Sequence, residues 1–70
     1  MNQFIIDMRT KKRQKIKNKR KKEFFICDMQ NGQRTGTYYK TCDKDEALRA
    51  FDNWEDVYFT EIEALYACQN

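Results

Sequence analysis

A run of basic side chains at residues 11 to 22, KKRQKIKNKRKK, is the strongest chemical signal in this 70-residue chain. Nine of its twelve residues are Lys or Arg. Such a cluster binds nucleic acid by releasing the cations condensed on the phosphate backbone. Because lysine is a point charge, whereas arginine suits bidentate contacts with bases, a lysine-rich run positions a protein without reading sequence. We predict sequence-independent phosphate binding by Arg9, Lys11, Lys12, Arg13, Lys15, Lys17, Lys19, Arg20, Lys21 and Lys22.

The basic run is also typical of a solvated tail, or of a nuclear localisation signal in a cell that has a nucleus. An anionic membrane surface is less favoured, because no amphipathic apolar face accompanies the charge. The apolar residues 4 to 6 precede the charges, the reverse of a signal peptide, and no stretch has the ~20 apolar residues of a membrane span. We therefore expect an intracellular, cytoplasmic or nuclear protein.

Charge divides the chain into two parts. Residues 1–22 hold ten cations and one acid, a net charge of +9, whereas residues 23–70 hold four cations and ten acids, a net charge of −6. Ile16 is the sole apolar residue between Met8 and Phe24, so a helix over the basic run has little face to bury. We predict a basic arm over 1–22, disordered or helical on binding, and a compact acidic body over 23–70.

The sequence of the body predicts a small α+β domain. The β-forming residues on either side of Asn31-Gly32 indicate a hairpin over about 23–42, because both turn residues tolerate positive φ. Asp43 followed by Glu46 resembles a capping box, and it starts an apolar helical stripe that predicts a helix over about 44–53.

The C-terminal segment, about 56–67, fits either a strand or a helix. Val57 to Thr60 favours a strand by propensity, whereas Thr60 with Glu63 forms a second capping box before a helical stripe at Ile62, Leu65 and Tyr66. We favour a strand from near Asp56, with one long or broken helix as the alternative.

Aromatic and acidic side chains of the body suggest a protein-binding surface. Aromatic residues on sheets can stack bases, but core packing explains most of them better here. An acidic, aromatic surface can occupy a site that another protein uses for nucleic acid. The candidate interface consists of Tyr38, Tyr39, Trp54, Glu55, Asp56 and Tyr58.

Catalytic and metal chemistry find little support in the residue types. The chain has no His, and its three cysteines, Cys27, Cys42 and Cys68, lack C-x-x-C spacing. We expect no enzyme activity, no metal and no cofactor, and we expect the cysteines to be reduced and to pack as small apolar side chains.

Two functions follow from these patterns. The first is a non-enzymatic nucleic-acid-associated accessory protein whose basic arm binds DNA or RNA backbone. The second is a small phage- or mobile-element-type protein that inhibits a host nucleic-acid-processing enzyme through its acidic, aromatic body. A body of only 48 residues is also a candidate for homodimerisation.

Overall fold

A computed structural model describes residues 3–20 and 22–69 of the chain. Over these residues the protein has an α+β fold of three helices and a three-stranded antiparallel sheet with the strand order β2-β1-β3. The elements in chain order are α1 (Gln3–Asn18), β1 (Phe24–Gln30), β2 (Gln33–Thr41), α2 (Lys44–Asp52), β3 (Val57–Tyr58) and α3 (Glu61–Gln69).

The predicted hairpin is confirmed as β1 and β2. Asn31 and Gly32 form its turn with φ values of 54° and 79°, as a two-residue type I′ turn requires. The register between the strands shifts between Cys27 and Met29, opposite a bulge in which Gly36 has a φ of 91°. The sequence allowed a longer loop, but the turn itself has only two residues.

The helix predicted from residue 44 is confirmed as α2. The side chain of Asp43 accepts a hydrogen bond from the backbone N–H of Asp45 at 2.9 Å, which caps the helix. The backbone N–H of Asp43 itself donates to Thr41 Oγ1 at 3.0 Å, so the cap is fixed to the end of β2.

The end of α2 excludes one long C-terminal helix. Trp54 has a φ of 65°, its N–H donates to Phe51 O, and the N–H of Glu55 donates to Ala50 O, which is the Schellman pattern. A short strand, β3, follows and pairs with β1. The favoured strand from near Asp56 is therefore present for two residues only.

α3 then begins after Thr60, at the second capping box. The backbone N–H of Glu63 donates to Thr60 Oγ1 at 3.3 Å, and the Thr60 hydroxyl donates to the Glu63 carboxylate at 2.8 Å. The strand and helix signals in this segment are both correct, and they apply to successive residues.

The sheet is covered on both faces by helices of its own chain. On one face, Phe24, Ile26 and Val57 pack with α2 and with Ile16 of α1 in the main core. On the other face, alternation along β1 directs Phe25 and Cys27 toward α3, whose Ala64 and Cys68 are buried.

In the basic segment, which the sequence predicted to be disordered or helical on binding, residues 3–18 form α1, and this helix packs against the body. Ile16 is fully buried among the side chains of the main core. Arg9 and Arg13 contact α2, so charged side chains provide much of the docking surface that an apolar stripe would normally supply. The arm is therefore part of the folded domain through Asn18.

Candidate nucleic-acid interface

Three cations of α1 contact side chains of the body, and so does Lys19, the first residue after the helix. The guanidinium carbon of Arg9 lies 4.0 Å from the centre of the Phe51 ring and 3.6 Å from that of Trp54, and its Nη2 donates to Phe51 O at 2.7 Å. Arg13 pairs with Asp52 at 3.1 Å. The remaining contacts are from Lys12 Nζ to the Tyr58 ring at 4.6 Å and from Lys19 Nζ to the Phe59 ring at 3.9 Å.

Several further cations of the segment have exposed side chains. Lys11 and Lys15 are exposed and recur four residues apart, so their Cβ atoms are about 6 Å apart along one side of α1. Lys19 continues the same row directly after the helix. Within the described residues, Lys11, Lys15, Arg20 and Lys22 form no ion pair. Lys17 is also exposed but lies on a different side of α1.

These side chains join residues from elsewhere in the fold along two adjoining clefts. One cleft of about 640 Å³ is lined by Lys11, Lys15, Lys19 and Phe59, and the next, of about 480 Å³, is lined by Lys19, Arg20, Lys22, Phe24, Cys42 and Lys44. Lys19 belongs to both clefts. We call this continuous surface the basic edge and define it as Lys11, Lys15, Lys19, Arg20, Lys22 and Lys44.

A third groove beside the basic edge has mixed character. It has a volume of about 480 Å³ and is lined by Lys11, Lys12 and Lys15 together with the acidic residues Glu55, Asp56 and Glu63. Burial lowers the pKa of Lys12, although the carboxylates of Asp56 and Glu63 oppose that change. Acidic side chains thus share this groove with Lys11, Lys12 and Lys15, whereas no acidic side chain of the described residues lines the two clefts of the basic edge.

Acidic residues of the body mainly occupy positions with a local structural role. Asp43, Asp45 and Glu46 lie at the start of α2, where a negative charge is favoured by the helix dipole. Glu61 and Glu63 lie in the first turn of α3, and Asp56 pairs with Arg34.

The residues predicted as a protein interface are not brought together on one surface. Tyr38 and Tyr39 are neighbours in β2 and point to opposite faces of the sheet. The Tyr38 hydroxyl donates to Glu61 at 2.8 Å, and this hydrogen bond raises the pKa of Tyr38. Burial is the main cause of the raised pKa of Tyr39.

The remaining four predicted interface residues lie between α2 and α3. Trp54 is 61% exposed, while Glu55, Asp56 and Tyr58 are partly buried. Burial, followed by the charge of Asp56, raises the pKa of Tyr58.

Sequence reasoning missed two residues of the basic edge region, Lys44 and Phe59. Lys44 is far along the chain from the basic run, and no local pattern indicates that it lines the same cleft as Lys22. Lys21, which the sequence assigned to phosphate binding, lies outside the described residues. In the described part of the chain, no group of three or more His, Cys, Asp or Glu side chains could hold a metal ion, and no helix is long and apolar enough to cross a membrane.

Comparison of the chain with models of known protein families, with curated proteins and with solved structures found no match. Function must therefore be argued from the geometry and chemistry of the site itself.

Proposed function

We propose that the protein is a non-enzymatic nucleic-acid-associated protein that binds the phosphate backbone through the basic edge. The observation that carries this proposal is the continuity of Lys11 and Lys15 on α1 with Lys19, Arg20, Lys22 and Lys44 around two adjoining clefts. Binding to nucleic acid also implies a location inside a cell.

The arrangement suits phosphate better than base recognition. Five of the six edge residues are lysines, which act as point charges and do not favour the bidentate geometry that reads a base pair. The edge is supported by a packed helix, so Lys11 and Lys15 are already positioned and less conformational entropy is lost on binding than for a disordered tail. We therefore expect binding without sequence preference.

The test compares two double variants that lose the same charge. Lys11→Gln with Lys15→Gln removes two cations from the basic edge, whereas Lys17→Gln with Arg49→Gln removes two cations from other surfaces. Affinity for a generic labelled oligonucleotide is measured by fluorescence anisotropy over a series of salt concentrations.

We expect the wild-type affinity to fall steeply with salt. The slope of log K against log salt should decrease in magnitude by about 2 for the edge variant, since each duplex phosphate contact contributes about 0.9. The control variant should stay close to the wild type. Equal weakening of both variants, or no salt-dependent binding by the wild type, would contradict the proposal.

A second candidate is a phage-type inhibitor that covers the basic surface of a nucleic-acid-processing protein. The observation that favours it is the acidic, aromatic turn DNWED at residues 52–56, in which Trp54 holds an exposed ring on a backbone with positive φ. Exposed Trp residues often dominate the binding energy of interfaces.

The two candidates predict different effects of the same two variants. An inhibitor would lower the activity of its target in the absence of added free nucleic acid, and Trp54→Ala would remove that effect while Lys11→Gln with Lys15→Gln would not. The nucleic-acid proposal predicts the reverse sensitivity for oligonucleotide binding.

A further inference from the structure

Two buried cysteines from different elements are in contact beneath α3. Cys27 lies in the central strand β1 and is fully buried, and Cys68 lies in the last turn of α3 with 6% of its surface exposed. Their Sγ atoms are 2.9 Å apart. A disulfide bond is ~2.04 Å long, so the two sulfur atoms need to approach by about 0.9 Å to be bonded.

We propose that Cys27 and Cys68 form an intramolecular disulfide bond that fixes α3 to the sheet. This inference does not depend on the nucleic-acid proposal, and it names a covalent modification of two residues that the binding surface does not use.

The packing of α3 gives a physical reason for such a cross-link. The buried residues of α3 are Ala64 and Cys68, both small, while Ile62 and Leu65 are exposed. Because hydrophobic stabilisation grows with the apolar area removed from water, this helix gains little from burial. Small domains commonly compensate for a limited core with disulfide bonds.

Hydrogen bonds hold the last turn of α3 in the position that the cross-link needs. Arg34 of β2 donates from Nη1 to the carbonyl oxygen of Ala67 at 2.7 Å and also pairs with Asp56. The Cys68 thiol can donate to the carbonyl oxygen of Thr37 at 3.3 Å as well as to Cys27. These contacts keep the two sulfur atoms on the same side of the sheet.

The bond can form by thiol–disulfide exchange with a small-molecule disulfide such as oxidised glutathione. The thiolate of one cysteine attacks a glutathione sulfur, which forms a mixed disulfide and releases one glutathione thiol. The second cysteine, as its thiolate, attacks the protein sulfur of the mixed disulfide and releases the second glutathione thiol. Two protein thiols are oxidised, one disulfide of the oxidant is reduced, and the two protons pass to the released thiolates.

Burial of the two cysteines in the folded protein slows this reaction. Burial, with the hydrogen bond from Cys68, raises the pKa of Cys27 to about 12, so very little thiolate is present near neutral pH. We therefore expect the cross-link to form mainly during folding or when the last turn of α3 opens. The same burial protects an existing bond from reductants.

The test uses the full chain with Cys42→Ser, which removes the exposed third thiol. The unfolded, reduced protein is refolded in buffers of different ratios of oxidised to reduced glutathione, quenched with acid, and alkylated under denaturing conditions. Intact mass and peptide mapping then report the state of each thiol. We expect one species that takes no alkyl label and contains a peptide pair linking Cys27 to Cys68, with a urea midpoint above that of the reduced form.

A matched control is Cys42→Ser with Cys68→Ala, which retains Cys27 alone and should form no intramolecular link. Since the main measurement needs only the Cys42→Ser protein, poor folding of the control does not affect it. Complete alkylation of both thiols at every glutathione ratio, a mixed disulfide that persists, or a cross-link between two chains would overturn the proposal.

Discussion

Trp54 occupies a backbone position that glycine normally takes. It is the left-handed residue of the Schellman motif that ends α2, with a φ of 65°. A bulky side chain in this region costs about 1–2 kcal/mol because Cβ crowds the backbone. The ring lies over the guanidinium of Arg9, so the side chain gains a contact that partly offsets the strained conformation.

The strained backbone and the ring contact affect stability in opposite directions, and two substitutions at Trp54 separate them. Trp54→Ala loses the ring contact but keeps a Cβ at positive φ, whereas Trp54→Gly loses both the ring and the strain. We expect the glycine variant to be more stable than the alanine variant by about 1 kcal/mol in urea unfolding. At Arg49, which lies inside α2, the alanine variant should instead be more stable than the glycine variant, as is usual within a helix. An alanine advantage at Trp54 would contradict the strained conformation.

The raised pKa of the Cys27 thiol predicts that the reduced protein loses stability at alkaline pH. Its folded pKa of about 12 lies above the ordinary value of 9.0, so the stability linked to the protonated thiol is fully present below pH 9. That stability is lost as the pH rises from 9 toward 12, by at most about 1.4 kcal/mol per pH unit.

The measurement compares urea unfolding of the reduced protein at pH 8 and pH 10.5 with that of Cys27→Ala. Both proteins have the same tyrosines and lysines, so the difference between their pH slopes reports the thiol at residue 27. We expect the wild type to lose more stability over this interval. Parallel pH dependence would show that the thiol is not protected by burial.

At the scale of elements, α1 contributes the buried side chain of Ile16 and several cations to its contact with the body. Ile16 is fully buried in the main core, while Ile5 on the same helix is 50% exposed. Arg9 and Arg13 add polar contacts on α2. The buried isoleucine should therefore determine whether the helix stays docked.

We predict that Ile16→Ala destabilises the protein by about 2–4 kcal/mol, since it removes a fully buried side chain and leaves a cavity. Ile5→Ala, which deletes the same atoms at an exposed position, should cost well under about 1 kcal/mol. Urea unfolding measures both values, and hydrogen exchange of the α1 amides shows whether protection falls in the Ile16 variant. Equal effects would mean that α1 is not docked through this residue.

Elements fixed by local chemistry could be predicted from the sequence. Asn31-Gly32 specifies a tight turn, and Asp43 specifies a helix start, because each signal acts within a few residues. The docking of α1 could not be predicted, since Arg9 contacts Phe51 across 42 positions and cation–ring contacts leave no apolar periodicity.

The buried side of α3 also differs from what side-chain size would indicate. The helical stripe at Ile62, Leu65 and Tyr66 lies on the exposed side, and the smaller Ala64 and Cys68 pack against the sheet. Small side chains allow α3 to approach the sheet closely, which a pattern based on apolar size does not anticipate.

At the scale of the whole molecule, the division of charge along the sequence is not a division in space. The described part of the basic segment lies against the acidic body, and Arg9, Lys12, Arg13 and Lys19 have partners there. Some of the ten cations that the sequence assigned to phosphate binding thus have partners within the protein, while α1 holds Lys11 and Lys15 in a defined row. Lys44 joins them only through the fold.

Deletion of residues 1–22 should therefore impair folding as well as binding. The deletion removes Ile16 from the core and Arg9 from the rings of Phe51 and Trp54. The 48 remaining residues are close to the lower limit for independent folding. We expect the fragment 23–70 to lose cooperative thermal unfolding and the near-ultraviolet circular dichroism of its packed aromatic side chains.

Salt distinguishes the docking of α1 from the binding of nucleic acid in the intact protein. Ile16 is buried and the rings partly shield Arg9, so added salt screens these contacts much less than the exposed edge lysines. Between low and moderate salt, oligonucleotide affinity should fall by orders of magnitude while the melting temperature changes by only a few degrees. A melting temperature that falls in parallel with affinity would show that exposed charge pairs alone hold α1, and a fragment 23–70 that unfolds cooperatively would support the same conclusion.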